Sequence, residues 1–246
     1  MRSVEITDNT VVKRSAPDLM RIEVAKTRRG GEIGRATGLF RVPQILDFDE
    51  AAGRATFERL RGLRMLRRVL VREAAPDVAT RLGLVLAAIH RGLVLPEDMK
   101  APLPDEFALP GETEVFLHGD FTVDNLYITQ PGEPLVVLDW QMTAVHGGRA
   151  TFGTRYFDVT WFINTLFDRP VHRYFGASLE APWAAVFLKG CFGSAGAAVQ
   201  EDLRSYMNRF FTVKMAQRRR EIPWHRRLLM APANRRLWTF VRSFRL

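Results

Sequence analysis

Short alternating runs open the chain and helical periods follow. Residues Ser3–Ile6 and Thr10–Arg14 alternate apolar with polar side chains, are rich in β-branched residues and flank Asp8-Asn9, which predicts a hairpin with Lys13 on its second strand. Pro17-Asp18 then opens a helix with Leu19, Ile22 and Ala25 at helical spacing and Glu23 near its middle, and Gly30-Gly31 should end it. Residues 42–47 and 54–58 read as two strands around the turn DEAAG, which makes a small antiparallel sheet with one helix. Beyond Gly62 the period becomes helical. LRMLRRVLVRE and PDVATRLGLVLAAIHRG predict two successive helices, the second with Leu82, Leu86 and Ile89 on one face, His90 as a core or cap residue and Gly92 as the C-terminal cap. MKAPLPDEFALPGE reads as an exposed connection. Strand-like runs return at 115–117, 126–128 and 135–138, and helices at 157–167, 183–192 and 197–216. The pattern gives an α+β chain in three parts: a small β-rich lobe over residues 1–60, a mainly helical lobe over 61–213 and a basic helical segment over 214–246.

Composition changes this picture in two places. A chain of 246 residues with 47% hydrophobic content can bury a real core, as one domain or as two lobes in contact. Cys191 is the single cysteine, which leaves no intramolecular disulfide framework or cysteine-based zinc site and fits a reducing compartment. The polar start MRSVEITDNT lacks a signal-peptide core, and no run reaches the roughly 18 to 20 apolar residues of a membrane span, so a cytoplasmic location is expected. The net charge of +9 is local: residues 214–246 hold ten Lys/Arg and one acid, Glu221, so the rest sums to zero. Such asymmetry either points to an anionic partner, a membrane surface, a nucleic acid or a phosphorylated substrate, or marks a solvated face. Arginines there interleave with Trp224, Leu228, Leu229, Leu237, Trp238, Phe240 and Phe244. That suits a helix lying on an anionic bilayer at the inner face of the membrane, and equally a packed C-terminal helix pair. No recognised module accompanies it to favour nucleic acid.

The chemistry-bearing residues gather at strand ends. In FLHGDFTVDNLYI, His118, Asp120 and Asn125 occupy a loop between two strand-like runs; in PLVVLDWQ, Asp139 sits where a buried run ends. Loops held by a rigid scaffold expose functional groups while fixing their geometry. Two carboxylates and an amide suit a divalent cation and a proton acceptor, and magnesium takes hard oxygen ligands that nucleotide phosphates would complete. Taken singly, Asp120 and Asp124 read as turn residues, Asn125 as a turn cap and Asp139 as a strand-end cap. Taken together they do not, because H-x-D-x-x-x-x-N is expected by chance only roughly 0.005 times in a chain of this composition.

That spacing, with LDW following it, resembles the aminoglycoside phosphotransferase and choline kinase branch of the protein-kinase-like fold. The resemblance covers about residues 11–167. It implies a two-lobed fold, ATP and Mg2+ as cofactors, and transfer of a phosphoryl group to a hydroxyl of a small molecule, sugar or lipid-linked glycan. On this resemblance VVKR is the strand of the phosphate-binding lysine, Lys13, and Glu23 in RIEVAKT is its partner, with Glu32 the alternative if the helix runs on through Gly30-Gly31. VPQILDFDEAAGRATFERLRG is similar to two strands and a hinge, and GLVLAAIH to the long helix before the catalytic loop. Asp120 would orient the acceptor hydroxyl and take its proton late, when a carboxylate of reference pKa near 3.9 suffices. Asn125 and Asp139 would hold magnesium, and His118 would support the loop by hydrogen bonding. Asp158 in RYFDVTW would brace that loop or simply cap its own helix. Tyr156, Phe157, Trp161 and Phe162 read as core, and His146 with Gly147-Gly148 as a flexible loop or a phosphate contact. Two features depart from the family: twelve residues precede Lys13, and no glycine-rich loop covers the phosphates, which gives an N-terminally shortened first lobe. The departure keeps a second function open, a non-catalytic or weakly active module that binds a partner or anionic membrane through its basic C-terminus. A metal-dependent hydrolase would need more converging His and Asp ligands than the sequence offers.

Overall fold

The computed structural model describes residues 3–69, 76–130, 132–142, 148–168, 180–193 and 196–246. In chain order the first part contains β1 (Ser3–Ile6), β2 (Thr10–Arg14), α1 (Pro17–Thr37), β3 (Phe40–Arg41), β4 (Ile45–Asp49) and β5 (Arg54–Glu58). Strands β1, β2, β5 and β4 form one antiparallel sheet in that order, with Lys13 opposite Val4 and Ala55. Met20 and Val24 of α1 pack on Ala55 and Phe57 of the sheet, a small core that fixes Glu23 beneath Lys13.

Helix α1 does not stop at Gly30-Gly31. It continues to Thr37 and ends on Gly38, whose φ of 68° and amide bond to the Gly34 carbonyl at 2.9 Å form a left-handed cap. The internal glycines serve close approach instead. A Cβ on Gly30 would stand 2.5 Å from Cζ2 of Trp140, and one on Gly34 would collide with the Phe40 carbonyl oxygen. The helix therefore accepts the roughly 1 kcal/mol per glycine that an interior position costs and lies flush against the second lobe. Glu32, carried past the glycines, binds Arg29 at 2.6 Å.

The second part contains β6 (Arg64–Met65), α2 (Leu66–Val69), α3 (Pro76–Gly92), β7 (Glu114–Phe116), β8 (Leu126–Ile128), β9 (Leu135–Val137), β10 (Phe152–Thr154), α4 (Tyr156–Phe167), α5 (Glu180–Phe192), α6 (Ala197–Glu221) and α7 (Trp224–Ser243). The helix expected over LRMLRRVLVRE is described only as far as Val69, and the rest of that segment lies outside the described residues. Strands β3, β9, β8 and β6 form a second sheet, in which β3 runs parallel to β9. The two-residue β3, too short to show an alternation, thus joins the end of the first part to the LVV strand that precedes Asp139. A separate pair, β7 with β10, carries the chain into the His118 loop.

The main core is apolar and aromatic, with Leu82, Leu86 and Ile89 of α3 fully buried beside Phe157, Phe162 and Phe187. Helix α6 runs unbroken through Lys214, and α7 packs onto it and α4 through Leu237, Phe240 and Val241, with the Phe167 and Phe240 rings 5.6 Å apart. The C-terminal half of the basic segment is thus a packed helix, while Trp224, Leu228 and Leu229 near its start are exposed. Among the described residues, no helix is long and apolar enough to cross a membrane.

Candidate active site

The loop between β7 and β8 is held from below by one carboxylate. Asp158, fully buried in the first turn of α4, accepts the amides of His118 at 2.8 Å and Gly119 at 2.9 Å, and its Oδ2 lies 3.0 Å from Nε2 of His90 on α3. Its carboxylate therefore goes to the loop, and no side-chain cap bonds the amides of its own helix. Burial alone would raise the Asp158 pKa, but the His90 bond, the nearby His118 and the Gly119 amide outweigh it and keep the group below the usual carboxylate range. Gly119 has φ 92°, a conformation that a side chain would strain, so the tight turn into Asp120 needs glycine here.

His118 is buried and accepts the Asp120 amide on Nδ1 at 3.2 Å. Burial lowers its pKa to about 4, so at neutral pH it is an uncharged strut for the loop. Behind it lies Lys26 of α1, fully buried, donating to the His118 carbonyl at 3.2 Å. Burial pulls this lysine down to about 8, against the attraction of Asp158 and Glu23.

Asp120 itself is gripped at both oxygens. Nε1 of Trp161 donates to Oδ1 at 3.0 Å, and Nδ2 of Asn125 donates to Oδ2 at 2.8 Å and to the Asp120 carbonyl at 3.0 Å. These two neutral donors orient the carboxylate. Asn125 is in turn tied to the next element, since its carbonyl accepts the Leu138 amide at 2.9 Å. Asp124 turns away and pairs with Arg67 of α2 at 3.2 Å.

Asp139 follows at φ 57°, the sole non-glycine residue at positive φ among the described residues. Aspartate tolerates that region better than most side chains, yet such a residue after a buried strand marks a constrained position. Its Oδ1 lies 3.1 Å from Nζ of Lys13, and the same ammonium binds Oε1 of Glu23 at 2.5 Å. Burial pulls Lys13 down, but Glu23 and Asp139 more than compensate, so its pKa sits above the ordinary value and the amine is firmly charged. Lys13, Glu23, Asn125 and Asp139 border one cleft of about 330 Å³, together with the apolar Val4, Val11, Phe57, Leu60 and Leu63. A larger hollow of about 780 Å³ against α1 and β4 involves Arg28, Arg35 and Arg41 but none of the loop's functional groups.

The structure thus brings Lys13, Glu23, His118, Asp120, Asn125, Asp139 and Asp158 into one region. His146 and Gly147 lie outside the described residues. Three contributors escaped the sequence reading. By sequence Trp161 belongs to the core stripe, yet its indole reaches Asp120; its place three residues after Asp158 on one helix face is the available signal. Lys26 stands three residues after Glu23 in the same relation. His90 looked like a core or cap residue, and only the tertiary fold sets it against Asp158.

Residues 93–189 match the APH phosphotransferase enzyme family. No curated protein matches the chain. Among solved structures, a choline/ethanolamine kinase family protein from Mesorhizobium loti superposes with a TM-score of 0.58 at 15% identity, covering 98% of this chain and 85% of that one. An aminoglycoside phosphotransferase with ADP bound gives 0.55 at 13% identity, covering 100% and 95%. An amicoumacin kinase in complex with AMP-PNP and Ca2+ gives 0.54 at 10% identity, covering 98% and 86%. At such identities the likeness is one of fold.

Proposed function

We propose, for a chain that carries the aminoglycoside phosphotransferase and choline kinase branch of the kinase-like fold, that it is an ATP- and Mg2+-dependent phosphotransferase acting on a hydroxyl group. The observation that carries this reading is Asp120, an oriented carboxylate on the loop whose Asn125 borders the same cleft as Lys13 and Asp139. Lys13, kept charged by Glu23, binds nucleotide phosphates. Val4, Val11, Phe57, Leu60 and Leu63 offer the apolar surface that a purine ring needs, and Val4 and Ile6 of β1 leave 50% and 62% of their surface exposed there. Asp120 orients the acceptor hydroxyl and receives its proton as the bond to phosphorus forms, while Trp161 and Asn125 hold the carboxylate in place.

Magnesium fits the donors present. Asn125 and Asp139 border one cleft and supply one amide and one carboxylate, and among the described residues no cluster of three or more His, Cys, Asp or Glu could form an all-protein cage. That is the donor set of a cation that completes its shell with phosphate oxygens and water. When bound, magnesium neutralises charge on the phosphoryl oxygens.

Incubation with labelled ATP, magnesium and a panel of hydroxylated acceptors tests the assignment. Asp120→Asn keeps the size of the side chain and removes the base, so transfer should fall roughly 10²- to 10⁴-fold with ATP affinity retained. Transfer by Asp120→Asn at the wild-type rate would exclude the role.

A second reading concerns the surface. Trp224, Leu228 and Leu229 are exposed on one stretch of α7 beside Arg226 and Arg227, a pattern suited to an anionic bilayer. Flotation with phosphatidylglycerol vesicles should fall when these three become serine. Equal flotation removes this reading.

A further inference from the structure

A lysine stands over the face of the indole that bonds Asp120. Lys214 of α6 is 5% exposed, and among the described residues it makes no hydrogen bond and no ion pair. Its ammonium lies 5.2 Å from the ring centroid of Trp161, the residue whose indole N–H holds Asp120. One indole therefore separates a buried ammonium from the proposed catalytic carboxylate. Its neighbour one turn on, Arg218, pairs directly with Asp168 at 2.8 Å, whereas Lys214 rests on the aromatic face, with Glu221 and Asp168 attracting it from farther off. An ammonium largely withdrawn from water with no direct ion pair is costly, and a cation–π contact recovers part of that cost.

We propose that Lys214 binds an anionic group of the acceptor, with a phosphomonoester on the hydroxyl-bearing molecule as the class that fits, which rests on the phosphotransferase reading above. Burial, with Arg218 adding to it and Glu221 and Asp168 opposing it, lowers the Lys214 pKa to about 8, so the amine is still largely protonated at neutral pH and an approaching anion strengthens that charge. Asp120 takes the proton of the hydroxyl while Lys214, across the indole, holds the charged end. The surroundings argue against the opposite charge. Residues 214–246 carry ten Lys/Arg and one acid, so a polycationic acceptor such as kanamycin would meet repulsion on this face.

The full-length protein saturated with ADP and Mg2+ is titrated with glycerol 3-phosphate, glycerol and kanamycin, and in a separate arm with phosphatidylcholine vesicles containing phosphatidic acid. The expected result is saturable binding of glycerol 3-phosphate but of neither glycerol nor kanamycin, weakened at least tenfold in Lys214→Met and largely restored in Lys214→Arg. Binding to the vesicles alone, with the same dependence on Lys214, would place the phosphomonoester on a lipid and still support the assignment. Lys214→Met keeps the apolar stem and removes a buried charge, so an unchanged or higher Tm verifies that it folds. No binding of either phosphomonoester by the wild type, or binding that Lys214→Met leaves unaltered, overturns the proposal. The ADP titration is read separately, so failure of the nucleotide site is distinguished from failure of the Lys214 site.

Discussion

His118 donates its amide to Asp158, accepts the Asp120 amide on its ring and offers its carbonyl to Lys26, so it links the Asp158 carboxylate to Asp120 without exposing any atom. Its ring stays neutral in the fold down to about pH 4, whereas an unfolded histidine gains a proton near pH 6.5. Between these values the unfolded chain binds more protons than the folded one, so stability falls as pH drops from 6.5 to 4, by roughly 3 kcal/mol at most. The acid loss due to Asp158, whose pKa lies below 3.8, belongs to a lower window. Denaturant melts of the wild type and His118→Asn across pH 4 to 7 should show the steeper loss only in the wild type; parallel curves would mean that the ring is not buried neutral. At this scale the sequence was informative for groups that share a short motif. His118, Asp120 and Asn125 stood out because a single loop carries them all. Trp161, Lys26 and His90 did not, since each reaches the loop from a different helix and looks in isolation like a core aromatic, a surface lysine and a cap.

At the scale of elements, α1 is the instructive case. Local chemistry assigns Gly30-Gly31 to a helix end, and only the packing partner, Trp140, explains why the helix continues. Gly30→Ala should gain helix propensity of about 1 kcal/mol but lose more, because its Cβ would stand 2.5 Å from the Trp140 ring and overpacking costs roughly 1–3 kcal/mol. The ring can yield only by moving the segment that carries Asp139. Thermal melts and ATP titrations should therefore show lower Tm and weaker Mg2+-dependent ATP binding for Gly30→Ala. Gly31→Ala, whose Cβ would lie 3.3 Å from Val42, should be close to neutral. A Gly30→Ala variant as stable as wild type would mean that the helix does not press on Trp140. Strands β3 and β10 were illegible for another reason: two or three residues are too few for an alternation, and their partners lie far off in sequence. Strands β1, β2 and β5, of four or five residues, were legible because alternation and turn residues bound them closely.

Across the whole molecule, the Asp120 loop and the Lys13 strand come from different sheets, and α1 connects them. Glu23 holds Lys13, Lys26 holds the loop, and Gly30 admits Trp140, all from one helix. The two-lobed α+β arrangement was legible because each part has its own period, short alternations first and helices after. What sequence could not supply is the cover of the nucleotide. The turn between β1 and β2, Thr7-Asp8-Asn9, contains no glycine and closes on itself, with the Thr7 amide bonded to the Thr10 carbonyl at 2.9 Å. The most direct test is therefore acceptor-independent: thermal unfolding with and without ATP and Mg2+, on the wild type and Asp139→Ala. At 100 times its dissociation constant ATP should add about 2.7 kcal/mol, in the wild type only when Mg2+ is present, with the Mg2+-dependent part lost in Asp139→Ala. The absence of any shift in the wild type, or a shift of equal size in Asp139→Ala, would contradict the nucleotide and metal site on which the proposed phosphotransfer depends.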